Sequence, residues 1–215
     1  MDSHQSFTEQ IKKALHSKLP GQKAQFQMMP EGRNVFDEKP NPQLAAVLIL
    51  LYPVNNIIHT IFIRRSEFKG FHSGQISFPG GKKENSDSDL IYTALRESSE
   101  EIGIKIADVE IMGGLTKLYI PNSNYDVHPF VGYIKFKPEW ETDINEVKYI
   151  IEVPLKLFYN PNIRKKEKWN VNGSDIIVPF FNVKDNKIWG ATAMILNEFL
   201  NLIPDGNIFI MPVTN

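Results

Sequence analysis

The sequence contains no cysteine, which excludes disulfide bonds, thiolate nucleophiles and cysteine-ligated zinc sites. Its longest apolar run, Leu44 to Val54, is too short to span a bilayer. The first residues have neither the basic nor the apolar segment of a signal peptide. A formal net charge of −1 argues against a broad electrostatic surface for nucleic acid. We therefore expect a cytoplasmic protein that binds neither nucleic acid nor membrane.

The length of 215 residues and the 42% share of hydrophobic residues are typical of one globular domain with a sizeable core. We divide the chain into an N-terminal helix and connector, residues 1–40, and a main domain, residues 41–215. The helix is predicted over residues 6–19, and the connector that follows is polar and dotted with proline. The apolar stripe of this helix fits packing on its own domain and packing in a homodimer.

Apolar, β-rich runs dominate the main domain and are interrupted by two amphipathic helices, which are predicted over residues 89–102 and 191–202. Strands are predicted over residues 44–52, 57–64, 75–78, 109–119, 128–136, 147–153, 168–171 and 176–181. This order of elements predicts an α+β fold in which a mixed β-sheet is sandwiched between α-helices (α/β/α).

Three glutamates of the first of these helices share one face. Glu97, Glu100 and Glu101 are spaced i, i+3 and i+4, and an α-helix has about 3.6 residues per turn. Like charges in this arrangement repel one another, so the cluster is costly unless a cation offsets it. Converging carboxylates suit Mg²⁺ or Mn²⁺, the metals that handle phosphate groups. A solvated acidic helix face is the alternative that this pattern alone leaves open.

Glycines flank the acidic helix on both sides. Gly80 and Gly81 precede it and allow a sharp turn that comes close to the helix. Gly103 follows the helix, at the position of a left-handed C-terminal cap. Arg96 lies one helical turn before Glu100 and can hold a carboxylate in its productive rotamer.

With these residues the chain resembles the Nudix hydrolases. Their signature runs Gly, five residues, Glu, seven residues, then Arg-Glu-apolar-x-Glu-Glu-x-Gly-apolar. Here Gly81 opens the signature, and the segment from Arg96 to Ile104 closes it. Asp87 stands at the first acidic position, with eight residues between it and the arginine, and Ser98 stands where an apolar residue is usual.

The longer, aspartate-containing form of the signature resembles the subgroup of coenzyme A diphosphatases. That subgroup carries an upstream element, and the segments 65–66 and 72–81 match much of it. Its threonine and arginine are not evident here, because Ile63 and Gly70 stand near their places. The resemblance implies the Nudix fold and Mg²⁺- or Mn²⁺-dependent hydrolysis of a small-molecule diphosphate. It favours coenzyme A or a derivative, cleaved to phosphopantetheine and adenosine 3′,5′-bisphosphate.

Two other functions remain as alternatives. One keeps the chemistry and changes the substrate to ADP-ribose, a nucleotide sugar or a dinucleoside polyphosphate. The other is a non-catalytic Nudix module that binds a nucleotide and regulates a partner. Such a module is expected to lose carboxylates of the signature, and this chain keeps Glu97, Glu100 and Glu101.

The resemblance and the spacing together indicate roles for the acidic residues. Glu97 and Glu101 are the predicted metal ligands, and Glu100 either completes the coordination or acts as general base. Glu146 precedes a predicted strand, and several Nudix enzymes use an acidic residue of a comparable loop as base or additional ligand. An exposed loop glutamate without a role is the alternative for Glu146.

Cationic residues near the signature are candidate contacts for the substrate. Arg64, Arg65 and Lys82 can each bind phosphate, or belong to the ordinary surface charge. His72 matches the coenzyme A-type element, which indicates a place beside the substrate, and a structural histidine is the alternative.

Overall fold

The computed structural model describes residues 3–32, 39–66, 74–171, 173–204 and 206 of the chain. Four α-helices and eleven β-strands are found in these residues. They are α1 (Ser3–Leu15), α2 (Gly21–Gln25), β1 (Gln43–Val54), β2 (Ile57–Arg65), β3 (Ile76–Ser77), β4 (Gly80–Lys82), α3 (Leu90–Ile102), β5 (Glu110–Gly114), β6 (Leu118–Ile120), β7 (Tyr125–Tyr133), β8 (Val147–Pro154), β9 (Arg164–Val171), β10 (Ser174–Val183), β11 (Asn186–Trp189) and α4 (Gly190–Leu202).

Eight strands form a mixed sheet around the long strand β1. The order across the sheet is β3-β2-β1-β7-β5, while β4 pairs with β1, β6 with β7 and β8 with β2. The pairing of β1 with β7 is parallel and that with β2 is antiparallel. Asn55 and Asn56 join β1 to β2 with φ angles of 50° and 63°, which are typical of a tight hairpin turn.

Helices cover both faces of this sheet. Alternate residues of β1 point to opposite sides, so this one strand contacts the helices on each face. Ile49 and Leu51 belong to an apolar cluster with residues of α1 and α4. Leu48 and Leu50 belong to a second cluster with residues of α3. The α+β fold predicted from the sequence, a mixed sheet sandwiched between helices, is therefore confirmed.

The N-terminal helix packs on its own domain. Phe7, Ile11 and Leu15 are buried in the cluster that contains α4, and the ring of Phe7 lies 5.2 Å from that of Tyr133. The helix both begins and ends earlier than predicted, at Ser3 and Leu15. The homodimer and the domain boundary after residue 40 stay predictions.

The connector contains a short helix, α2, that the sequence pattern did not predict. Its anchor is the buried carboxylate of Glu198 in α4. This carboxylate accepts hydrogen bonds from the backbone of Gly21 at 3.1 Å, the side chain of Gln25 at 2.8 Å and the backbone of Thr116 at 3.2 Å. A contact between residues so distant in sequence leaves no local signal, which explains why the helix was missed.

Strands β9, β10 and β11 form a separate three-stranded antiparallel sheet. β11 was not predicted. β9 begins at Arg164, ahead of the predicted start. The sequence pattern missed this start because the first residues of β9 are charged and do not alternate as a half-buried strand does. The single strand predicted over residues 109–119 is wrong, since two short strands, β5 and β6, occupy that range. Tyr149 of β8 donates a hydrogen bond to Asn186 of β11 at 2.8 Å, so the small sheet lies beside the N-terminal end of β8.

Among the described residues, no helix combines the length and hydrophobicity that crossing a membrane requires.

Candidate active site

Helix α3 begins and ends at residues whose chemistry specifies its ends. The side chain of Asp89 accepts a hydrogen bond from the backbone N–H of Tyr92 at 2.7 Å, which is an N-cap. Gly103 follows the helix with a φ angle of 74° and donates its N–H to the carbonyl of Ser99. A side chain at Gly103 would also collide with the backbone of Glu141. These two caps fix the length of the helix that carries the glutamates.

The glycine turn before α3 brings backbone directly against this helix and against β1. At Gly80 the φ angle is 143°, and an added Cβ would lie 2.3 Å from the carbonyl oxygen of Ala46. At Gly81 an added Cβ would lie 2.2 Å from a carboxylate oxygen of Glu97. Only glycine fits at either position without a shift, so the carboxylate of Glu97 lies against bare backbone.

Glu101 is the most deeply buried of the three glutamates, with a side chain 1% exposed. It accepts a hydrogen bond from the backbone N–H of Gly80 at 2.8 Å and one from the guanidinium of Arg65 at 2.8 Å. Burial is the main reason that the pKa of Glu101 is raised to about 8. The charges of Glu97 and Glu146 act in the same direction, whereas Arg65 and the Gly80 N–H oppose the rise.

Glu97 lies one turn before Glu101, with a side chain 15% exposed. Burial raises the pKa of Glu97, the adjacent Arg96 opposes this, and the charges of Glu100 and Glu146 add to the rise. Glu97, Glu101 and Glu146 therefore act on one another electrostatically within one small region.

Arg96 connects this region to the turn before the helix. Its guanidinium donates to both carboxylate oxygens of Asp87, at 2.8 and 3.1 Å, and to Glu97 and Glu100, each at 2.9 Å. It also donates to the backbone carbonyl of Lys82 at 3.2 Å. The hydrogen bonds to Asp87 are the largest cause of a raised pKa of Arg96, so this cation is permanently charged.

Asp87 is the residue whose part in the site was not anticipated. Its side chain is fully buried, and besides Arg96 it binds the hydroxyl of Thr93 and the backbone N–H of Glu84, both at 2.9 Å. The hydrogen bond from Arg96 is the largest of the effects that hold the pKa of Asp87 well below its usual range. Its place in the signature was the available signal, and its function here is to fix Arg96.

Glu146 and Glu100 lie at the border of the buried group. Glu146 precedes β8, has a side chain 51% exposed and lies 3.9 Å from the guanidinium of Arg65. Glu100 has a side chain 58% exposed and is ion-paired with Arg96. The structure thus brings Glu146 into the neighbourhood of Glu101 although the two are distant in sequence.

The remaining candidate residues lie elsewhere. The side chain of Lys82 is exposed, and only its backbone carbonyl takes part in the contacts around Arg96. Arg64 lines a separate cleft beside the three-stranded sheet. His72 lies outside the described residues. Ser98, the unusual residue of the signature, is buried and donates its hydroxyl to the carbonyl of Ala94 at 2.6 Å, which satisfies the polar group.

The donor set of the site can hold a magnesium or manganese ion. In the described part of the chain, no three histidine, aspartate or glutamate side chains converge closely enough to hold a metal alone. Mg²⁺ usually keeps several waters and takes only one or two carboxylates together with substrate phosphates. Glu97 and Glu101 supply such a pair, and burial disfavours their charged forms until a cation offsets the cost.

Comparison with known proteins gives one family. The NUDIX domain model matches residues 42–161. The chain is 33% identical to Nudix hydrolase 15, mitochondrial, of Arabidopsis thaliana over 162 residues, which are 72% of this chain and 56% of that protein. It is 30% identical to the mitochondrial coenzyme A diphosphatase NUDT8 of Homo sapiens over 168 residues, which are 77% of this chain and 71% of that protein. The crystal structure of RenU, a Nudix hydrolase from M. smegmatis, matches with a TM-score of 0.54 at 13% identity, covering 87% of this chain and 97% of that one, which shows the same fold.

The first three curated relatives are longer proteins, of which the chain spans 56%, 53% and 66%. Two of the names above give a mitochondrial location for those proteins, and the cytoplasmic location of this chain stays a prediction. The resemblance seen in the signature is confirmed by a family match that covers more than half of the chain. The chain belongs to the NUDIX domain family.

Proposed function

We propose that the chain is a divalent-metal-dependent diphosphatase that hydrolyses coenzyme A or a derivative, releasing phosphopantetheine and adenosine 3′,5′-bisphosphate. The observation that carries the chemistry is the buried pair Glu97 and Glu101 against the backbone of Gly80 and Gly81. The substrate rests on the coenzyme A-type element of the sequence and on the similarity to a coenzyme A diphosphatase.

In this proposal Glu97 and Glu101 hold Mg²⁺ or Mn²⁺. When bound, such an ion neutralises phosphate charge and lowers the pKa of a bound water. Water attacks one phosphorus of the diphosphate, and the P–O–P bridge breaks so that the bridging oxygen leaves on the other phosphate. The protein's own contribution is orientation, because Arg96 fixes Glu97 while Gly80 and Arg65 fix Glu101.

We assign the general base to Glu146 rather than to Glu100. Glu146 is half exposed and its charge acts on both Glu97 and Glu101, and these observations support a position beside the reacting region. The carboxylate of Glu100 is instead held by a hydrogen bond from Arg96. A side chain close to the attacking water is the first requirement of a general base.

Matched substitutions test this assignment. Glu146→Gln should lower kcat by about 10²–10⁴-fold, which is the range for loss of a general base. Glu100→Gln should lower kcat by much less. The reverse ranking would assign the base to Glu100.

The proposed activity is tested by product analysis after incubation with Mg²⁺ or Mn²⁺. The substrates are coenzyme A, acetyl-coenzyme A, ADP-ribose, a UDP-sugar and a dinucleoside tetraphosphate. Release of phosphopantetheine from coenzyme A at the highest kcat/KM is the expected result. Preference for another substrate would contradict the coenzyme A assignment, and no turnover with either metal would contradict a hydrolase and favour a nucleotide-binding module.

A further inference from the structure

A cleft of about 530 Å³ lies where the N-terminal end of β8 meets the three-stranded sheet. Its volume falls in the usual range for small-molecule sites, which is about 300–1,000 Å³. We call it the tryptophan cleft, and its principal lining residues are Arg64, Gln75, Tyr149, Trp169, Lys187 and Trp189.

Arg64 is the half-buried cation of this cleft. Its guanidinium makes no hydrogen bond or ion pair with any residue that the structure describes. The next residue, Arg65, instead donates a hydrogen bond to Glu101 and lies 3.9 Å from Glu146. A partly desolvated guanidinium presents several donors in a fixed plane, and this geometry matches a phosphate group.

Two indole rings form a wall of the cleft. The ring centroids of Trp169 and Trp189 are 5.0 Å apart and the rings are inclined at 72°. Glu167 accepts a hydrogen bond from the indole N–H of Trp169 at 3.1 Å, which fixes the orientation of this ring. Lys187 lies 5.7 Å from the centroid of the same ring. Half-buried indoles of this kind offer flat faces on which a nucleobase stacks.

The charge of the cleft favours an anion. Arg64, Lys148 and Lys187 line it, and the charge of Lys187 is paired with Glu167. This leaves two cations against one exposed acidic residue, Asp185. A ligand with both a flat ring and a phosphate therefore matches the cleft better than an apolar ligand or a cation.

The cleft adjoins the candidate active site through consecutive residues of β2. The register of β2 on β8 shifts between Arg64 and Arg65, which is a β-bulge. Bulges re-aim side chains at the ends of strands. The extra residue of this bulge is Lys148 of β8, and Arg64 and Arg65, as consecutive residues of β2, point to opposite faces of the sheet. A molecule that contacts both places must therefore pass around the end of β2.

We infer that the tryptophan cleft binds the phosphorylated nucleoside end of the substrate, with the base on the indoles and a phosphate monoester on Arg64. This inference rests on the proposed function, because it adds a third phosphate to the diphosphate that is hydrolysed. Coenzyme A carries such a phosphate on its ribose. ADP-ribose and nucleotide sugars do not, so Arg64 discriminates between the candidate substrates.

Calorimetric binding of two probes in the presence of Mg²⁺ tests the inference. Adenosine 3′,5′-bisphosphate and AMP differ only in the 3′-phosphate, and neither contains an anhydride that the protein could cleave. The native protein should bind the bisphosphate about tenfold tighter or more, the value of a charged hydrogen bond. Arg64→Gln should abolish this difference, whereas Lys105→Gln, which removes an exposed charge elsewhere, should preserve it. Equal affinity of the native protein for both probes, or a difference that survives Arg64→Gln, would overturn the assignment of Arg64.

Trp169→Leu tests the stacking part, and it also serves if Arg64→Gln does not fold. This variant should weaken both probes about equally, by roughly tenfold, because the base contact is common to them. Unchanged affinity for both would overturn the stacking. Failure of the inference is distinguishable from failure of the proposed function. If the protein cleaves coenzyme A but binds the two probes equally, the assignment of the cleft is wrong and the proposed function stands. If it discriminates between the probes but does not cleave coenzyme A, the assignment of the cleft stands and the proposed function is wrong.

Discussion

The substitution Asp87→Asn should destabilise the protein substantially, although asparagine and aspartate have the same number of non-hydrogen atoms. The carboxylate is fully buried and accepts four hydrogen bonds, two from Arg96 and one each from Thr93 and the backbone of Glu84. An amide keeps one acceptor oxygen and turns its N–H₂ group toward donors. At least one bond from Arg96 or Thr93 is therefore lost.

The magnitude follows from these contacts. A hydrogen bond to a charged group contributes about 1.5–3 kcal/mol. Arg96 keeps Glu97 and Glu100 as partners, so it is not left unpaired, and the cost falls below the full penalty of a broken buried ion pair. We expect a loss of roughly 2–4 kcal/mol in the free energy of unfolding. For a chain of this size, that corresponds to a decrease in Tm of roughly 5–15 °C.

Urea denaturation across a pH series provides the assay, with Asp89→Asn as matched control. Asparagine is as good an N-cap as aspartate, so the control should lose less than about 0.5 kcal/mol. Because the pKa of Asp87 is held below its ordinary value of 3.8, its contribution is complete above that pH and is lost as the pH falls further. The difference in unfolding free energy between the native protein and Asp87→Asn should therefore be constant near neutral pH and become smaller below pH 3.8. Equal stability of the two proteins at neutral pH would refute the reasoning.

The remaining predictions concern the glycine turn and Glu101. Gly81→Ala should weaken Mg²⁺ binding, measured by calorimetry, with little loss of stability, because the atoms nearest to the added Cβ belong to the movable carboxylate of Glu97. Gly80→Ala should instead lower the Tm, because its Cβ meets the backbone of Ala46. Equal Tm values for Gly80→Ala and Gly81→Ala would contradict this close packing of Gly80 against β1. With the pKa of Glu101 raised to about 8, the folded metal-free protein binds the extra proton, so its unfolding free energy should fall as the pH rises from 4.5 to 8. Over the same range Mg²⁺ affinity should rise, and Glu101→Gln should weaken both trends, because Glu97 also has a raised pKa.

The sequence predicted what depends on local spacing. The glutamate face, the helix ends and the glycine turn all lie within one short segment, so the period of the α-helix and the turn chemistry of glycine were enough. Arg96 was correctly placed beside Glu100, one turn along the same helix. The order of the elements along the chain likewise predicted a mixed sheet sandwiched between helices.

What the sequence did not predict depends on contacts between distant residues. Arg65 was a candidate for phosphate, but its guanidinium binds Glu101 across 36 residues of sequence. Helix α2 depends on Glu198, far along the chain. The tryptophan cleft is formed where β2, β8 and the small sheet meet, and no local pattern brings Arg64 together with Trp169 and Trp189.

The most direct test of the central claim is phosphopantetheine release from coenzyme A with Mg²⁺, measured for the native protein, Glu101→Gln and the exposed-site control Glu139→Gln. Our account predicts release by the native protein and by Glu139→Gln, and none above the protein-free background by Glu101→Gln. Glutamine keeps the size of the side chain and an acceptor for the Gly80 N–H, so unfolding curves should show that Glu101→Gln remains folded. Full activity of a folded Glu101→Gln would contradict the proposal that this carboxylate holds the metal.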